Sequence, residues 1–320
     1  MPEDLSLFDA ASTESPAEPS GETALDDDAG LREVVDWFRA QGDLEDLFGS
    51  VFRQSIDEVL DGQRTGRYDI DGVTKTEKTY LGTKVEIVTK ATFELEPGTK
   101  MDYRIEGHEV DAKFSLTSQW QIPSEAMGHL CLLMAASERQ RTFEAGVLRI
   151  TEDLLNSGRN KDQKATISSA ARKKIIWLCH RSPMPPNILL TLPTDLAERI
   201  TKQTSGQRRI NELFRIEQGR VIDRNTALTV SMQADGLKRC RDARSQLRDE
   251  GIVVLGHQKD SPRIARDLEL PVPEKGTFVS TRLVPVPADT TDRNITRING
   301  GYYARAEPDE PASPAPTIDY

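Results

Sequence analysis

Two spacings of apolar residues run along the chain. Leu31, Val34, Val35 and Phe38 recur at helical intervals. So do Leu44, Leu47, Phe48, Val51 and Phe52 after a break at Gly42, and residues 31–61 therefore predict two helices. The glycine-marked stretch "DGQRTGR" over residues 61–67 closes the second helix as a turn. Strand signals follow in "KVEIVTKATFEL", "MDYRI", "EVDAKFSL", "HLCLLMAA" and "TFEAGVLRI". Around Gly107 two short strands meet. In the second, Val110, Ala112, Phe114 and Leu116 point one way, and Asp111, Lys113 and Ser115 point the other. Helices followed by a mostly sequential sheet predict an α/β or α+β core.

The later chain reads differently. Residues 156–169, "NSGRNKDQKATISS", carry little apolar content and read as a linker. Beyond it "AARKKIIWLCHR" reads as a helix and "NILLTLP" as a strand. "DLAERITKQ" and "QRRINELFRIEQ" read as helices, and "DGLKRCRDARSQLRDEG" as one that begins at an Asp235 N-cap and stops at Gly251. "IVVLGHQ" and "GTFVSTRLVPV" read as a β-pair, so this half has the outline of a winged helix-turn-helix domain. Residues 1–30 and the proline-rich residues 306–320 read as disordered tails. The expected organisation is an acidic arm (1–30), a first domain (31–155), a linker (156–169), a second domain (170–305) and a tail (306–320).

Charge sharpens this division. The net charge of −10 comes from the ends: residues 1–30 hold nine acids and no base, and residues 306–320 four acids and no base. Between them, residues 161–305 hold 26 Lys and Arg against 16 Asp and Glu, while residues 31–160 hold 16 against 23. An acidic half beside a basic half suits a nuclease with a separate DNA-gripping domain. No apolar run approaches the roughly 20 residues of a membrane helix, and the N-terminus lacks the features of a secretory signal. Cys131, Cys179 and Cys240 are far apart and form no CxxC pair, which disfavours zinc and disulfides and fits a reducing cytoplasm. The four histidines show no metal-ligand spacing.

The acids around Gly107 carry the candidate chemistry. Hydrolysis of a phosphodiester with a divalent cation needs hard oxygen ligands, a positioned water and a cation near the developing charge. Asp111-Ala112-Lys113 supplies an acid and a lysine on one strand face, Asp102 an acid from the strand before, and Glu86 a possible third carboxylate from the preceding helix or strand. The alternative is an exposed strand carrying an ordinary ion pair. "VLDGQR" over residues 59–64 has the outline of the K-x-D-G-x-R motif of DNA ligases, but Val59 stands where the nucleophilic lysine belongs, so no adenylate bond can form. Arg64 and Arg67 in that turn are candidates for DNA phosphate. In the basic half, Lys238, Arg241, Ser245 and Arg248 share one helix face, as a recognition helix requires, and Arg208 and Arg209 open an earlier helix where they could touch the backbone.

The runs "DGQRTGRYDIDGVTKTEKTYLGTKVEI", "DYRIEGHEVDAKFSL" and "IPSEAMGHLCLLMAASERQ", with "RINELFR", "GRVIDR", "EGIVVLGHQ" and "DLELPVPEKG", resemble the NaeI-type restriction endonucleases over roughly residues 31–300. That resemblance implies a restriction-endonuclease-like PD-(D/E)xK domain followed by a helix-turn-helix domain like that of catabolite activator protein. It implies a Mg²⁺-dependent type II enzyme, a homodimer that binds two copies of a GC-rich palindromic site in double-stranded DNA, and 5′-phosphate and 3′-hydroxyl ends. By position, the family's catalytic acids fall on Glu86, Asp102 and Asp111, which bind the metal, and its lysine on Lys113. The proline of the PD element is absent; Met101 precedes Asp102. A cognate DNA methyltransferase would be the genetic partner. The rival expectations are a mismatch- or lesion-directed repair endonuclease and a DNA-binding regulator with a dead nuclease domain.

Overall fold

The computed structural model describes residue 25 and residues 27–320. Most of the expected acidic arm (1–30) therefore lies outside the described residues. Its last residues lead into helix α1 (Ala29–Arg39), where Asp28 accepts a hydrogen bond from Leu31 N at 2.9 Å as the N-cap. Among the described residues no helix is long and apolar enough to cross a membrane.

The chain forms two compact units. The first comprises the described residues up to Phe48, Thr89–Ser137 and Thr142–Ser182; the second comprises Gly49–Val88, Glu138–Arg141 and Pro183–Tyr320. Helices α2 (Leu44–Leu60) and α4 (Lys75–Thr92) each pass from one unit to the other, and a short helix α3 (Gly62–Thr65) lies between them. "KVEIVTKATFEL", expected as a strand, is helical as far as Thr92, in the second half of α4. Its β-branched residues suggested a sheet, but Leu81, Val85, Val88 and Thr89 are buried at helical spacing.

The first unit is built on a six-stranded mixed sheet in the order β1-β2-β3-β5-β6-β9. Its strands are β1 (Glu96–Pro97), β2 (Tyr103–Ile105), β3 (His108–Ser115), β5 (Leu130–Ser137), β6 (Thr142–Arg149) and β9 (Ile176–Pro183). The β2–β3 hairpin turns through Glu106 (φ +48°) and Gly107 (φ +82°), the two-residue geometry that matches strand twist. Strand β3 runs parallel to β5, with Asp111 opposite Cys131 and Lys113 opposite Leu133. It is therefore interior to the sheet, and Asp111 on its polar side is buried.

The segment expected as a linker is structured. It contains β7 (Leu155–Arg159) and β8 (Ala165–Ile167), which join β4 (Gln121–Ile122) in a three-stranded sheet. Ala165 and Ile167 are buried, and Ile167 packs with Trp120, Ile150 and Leu154. "AARKKIIWLCHR", expected as a helix, is a 3-10 turn leading into β9, because pairing at the sheet edge overrides local propensity.

In the second unit helices α5 (Ile188–Thr191), α6 (Thr194–Thr201), α7 (Gly206–Ile216), α8 (Arg224–Ser231) and α9 (Gly236–Gln246) precede strand β11 (Ile252–Leu255). Phe214, Ile210, Ala227, Cys240, Ala243 and Leu247 form their shared core. "NILLTLP", expected as a strand, begins α5 because Asn187 caps it by accepting from Leu189 N. The expected β-pair is present: β11 runs antiparallel to β12 (Phe278–Val286), which also pairs with β10 (Val221–Ile222) and β14 (Gly301–Arg305); β14 in turn pairs with β13 (Ile295–Ile298). The tail over residues 306–320 is docked, contrary to the reading from composition. Ala315 and Ile318 join a core with Val253, Leu255 and Ile264, Ala315 N donates to Arg248 O at 2.8 Å, and the Tyr320 ring lies 3.9 Å from the Arg244 guanidinium. A few apolar side chains suffice there, because the prolines of the segment restrict the unfolded chain.

Candidate active site

Strand period sets Asp111 and Lys113 on one side of β3, and their side chains meet: Lys113 Nζ lies 2.6 Å from Asp111 Oδ2 and also donates to Ala112 O at 3.0 Å. Burial raises the Asp111 carboxyl above its usual range; the Lys113 charge opposes this and the negative Asp102 adds to it. On the adjacent strand, Cys131 Sγ stands 3.5 Å from Asp111 Oδ2, and burial raises its thiol.

Asp102 reaches the same place by a different route. Strand β2 begins at Tyr103, which pairs with Val110, so no further residue of β2 can meet the amide of Ala112. Asp102 Oδ2 takes that amide at 2.7 Å. The side chain stands in for the missing end of the strand and sits beside the stretch that carries Asp111 and Lys113. The structure thus brings Asp102, Asp111 and Lys113 together. Glu86 lies half-buried on α4, in the second unit. Among the described residues no three His, Cys, Asp or Glu side chains are grouped to hold a cation alone. Two carboxylates still suit magnesium, which keeps several waters and takes further oxygens from a phosphate.

Sequence reasoning missed Glu109. It shares strand parity with Asp111 and Lys113, and that parity was its signal. Its carboxylate accepts from Thr99 N and Oγ1, Lys100 N and Met101 N, which hold it down at about 2.

The basic candidates divide into two groups. Arg209 donates to Val230 O, Ser231 O and Gln203 O, and Arg67 holds Glu77 in a bidentate pair and donates to Leu60 O. These guanidiniums are engaged with their own chain. Arg64 is 75% exposed and pairs with Asp61, Arg208 is exposed beside Thr204, and Lys238 pairs with Asp242. Arg241 and Ser245 are exposed on the same face of α9, with Arg248 just beyond its end, where Arg248 Nε donates to Ala315 O. Arg239 and Arg244, not singled out from sequence, bind Asp235 and Val254 O respectively.

A mixed sheet carrying an acid-x-lysine strand beside a second acid is consistent with the restriction-endonuclease-like fold. The family model described as restriction endonuclease NaeI matches residues 33–314. The type II restriction enzyme NaeI of Lentzea aerocolonigenes is 41% identical over 286 residues, which cover 85% of this chain and 89% of that protein. The chain belongs to the NaeI restriction endonuclease family. It is a site-specific deoxyribonuclease of type II, a class that generally uses divalent metal ions, and its macromolecular partner is DNA.

Proposed function

We propose that this enzyme is a Mg²⁺-dependent double-strand endonuclease whose reaction is run by Asp102, Asp111 and Lys113, with Glu86 assisting as a ligand or as a base through water. The observation that carries this reading is the Asp102 tether to Ala112 N, which delivers a second carboxylate to the strand that bears the Asp111–Lys113 pair. A divalent cation held by Asp102 and Asp111 would neutralise charge on the scissile phosphate. The protein's own part is geometric and electrostatic. Asp111, on an interior strand, offers a carboxylate that burial has stripped of competing water. The Lys113 ammonium, able to donate in three directions, orients the attacking water and faces the charge that builds on phosphorus.

The second unit supplies recognition. Helices α8 and α9 meet through the short turn at residues 232–235, as in a helix-turn-helix. A Cβ on Gly236 would lie 2.7 Å from Ser231 Oγ and 2.9 Å from Ala227 O, so only glycine allows this close crossing. We place Lys238, Arg241, Ser245 and Arg248 at the DNA, joined by Arg208 and Arg64. One such site cuts one strand, so a double cut of a palindrome calls for a two-fold homodimer. The second helical unit would bind a further copy of the site and favour the active state, a coupling between sites. A cytoplasmic location and a cognate methyltransferase complete the restriction reading.

The test is digestion of plasmid by purified protein with and without Mg²⁺. Wild type gives discrete fragments with the metal, and Asp111→Ala gives none. Cleavage by Asp111→Ala at the wild-type rate would show that the chemistry lies elsewhere. Nicking confined to mismatched duplex would identify a repair enzyme.

A further inference from the structure

We propose that Glu109 is a positioning residue that holds the loop before Asp102 and thereby sets the metal affinity of the site; this rests on the reading of Asp102 as a metal ligand. Residues 98–102 connect β1 to β2 and end on Asp102 itself. Three successive amides of that loop point at one carboxylate. Thr99 N donates to Glu109 Oε1 at 3.0 Å, Lys100 N and Met101 N each donate to Oε2 at 2.8 Å, and Thr99 Oγ1 donates to Oε1 at 2.7 Å. Successive amides around an anion form a nest, a fixed concave arrangement that the backbone alone does not keep when the anion is removed.

Glu109 belongs to β3, the strand that carries Asp111 and Lys113, and is anchored there by the pairing of Glu109 with Arg104. The same strand therefore holds Asp102 twice. The Glu109 carboxylate grips the three residues before it, and the Ala112 amide grips its side chain. Both bonds must form for Asp102 to face Asp111. The loop is shaped for this contact. A Cβ on Gly98 would sit 2.2 Å from Met101 O and 2.9 Å from Glu109 Oε2, so a side chain at position 98 pushes the loop away from the carboxylate. Two residues that are not themselves the proposed ligands, Glu109 and Gly98, thus converge on the placement of one ligand. A cap whose only role is to tidy a surface loop would leave metal binding unaltered.

The experiment uses the full chain and Mn²⁺ as the probe. Bound and free Mn²⁺ are counted by electron paramagnetic resonance for wild type, Glu109→Ala, Glu109→Gln, Gly98→Ala and Asp102→Ala, beside the Mg²⁺ dependence of plasmid cleavage. Glu109→Ala is expected to weaken Mn²⁺ binding and raise the half-maximal Mg²⁺ concentration about tenfold, as loss of a residue that orients a ligand commonly does. Its rate at saturating Mg²⁺ stays close to wild type. Gly98→Ala shifts in the same direction, Glu109→Gln shifts less because one acceptor oxygen remains, and Asp102→Ala loses both signals. If Glu109→Ala and Gly98→Ala bind Mn²⁺ like wild type while Asp102→Ala does not, the positioning role is wrong and the ligand reading stands. If Asp102→Ala still binds Mn²⁺ and cuts, the ligand reading falls and the role of Glu109 falls with it. Should Glu109→Ala unfold, Glu109→Gln and Gly98→Ala decide by the same measure.

Discussion

The two units use charge in opposite ways. In the first, a few charges sit on the stiffest element available, an interior strand, where Asp111 and Lys113 are held 2.6 Å apart and largely out of water. In the second, cations are numerous and mostly on helices, yet several are committed to their own backbone, as Arg209 is to the end of α8 and Arg244 to β11. The difference teaches that sheet position defines a reactive site, whereas helix position advertises a surface whose usable cations depend on local bonding. Reactive groups need placement to a fraction of an ångström, and a paired strand supplies it. Phosphate attraction is long-ranged and tolerates looser placement.

Lys113→Ala tests the first half of the comparison and carries the largest effect. Cleavage at saturating Mg²⁺ should fall at least about a hundredfold, the usual cost of removing a group aimed at transition-state charge. Retention of full activity in a steady-state plasmid assay would remove the lysine from the mechanism.

Arg209 and Arg241 test the second half as a pair. Arg209→Ala should lower stability by about 2 kcal/mol, because carbonyls at the end of α8 lose a charged donor. Thermal unfolding reads this directly. Arg241→Ala should leave the melting temperature alone, weaken DNA binding about tenfold and reduce the salt dependence by about one counterion. An exchange of these two phenotypes would invert the assignment of structural and DNA-facing arginines.

The most gradual effect is one of pH. Asp57, paired with Arg53 and hydrogen-bonded by Asn225, is pushed up to about 6, chiefly by burial, with the Asp223 charge adding to the rise. A carboxyl whose folded value lies above its unfolded one favours the folded state when protonated. Its contribution is complete below about 4 and is lost as the pH rises through about 6. Asp57→Asn should flatten that part of the stability profile, as measured by denaturant titration between pH 4 and 7. An unchanged slope would show that Asp57 does not take up a proton on folding.

Much of this was legible where the signal is local. The β2–β3 hairpin follows from Glu106-Gly107 between alternating residues, and α7, α9 and the β11–β12 pair follow from their periodicity. The errors arose where partners distant in sequence decide. The β-branched run at Val85–Thr89 looks extended, but its buried residues fall three and four apart. Residues 170–181 look helical, but from Ile176 onward the edge of the sheet claims them. Residues 156–169 look like a linker because β7 is polar and β8 is only three residues long, and only the pairing of β7 with β8, of β8 with β4, and the Trp120 core make them strands. The tail misled through its composition, since docking needs only Ala315, Ile318 and Tyr320 to find their grooves.

By itself, the order of residues determined that Asp111 and Lys113 share one side of a strand, because side chains alternate with a period of two whatever surrounds them. It also determined the helical spacing behind the basic face of α9. Only the tertiary structure decided that β3 is interior, that Asp102 completes the ladder at Ala112, that Glu109 holds the loop before it, and which arginines remain exposed. Burial, register and the capture of a side chain by a distant amide depend on segments that meet only when the chain folds, and no local pattern encodes those meetings.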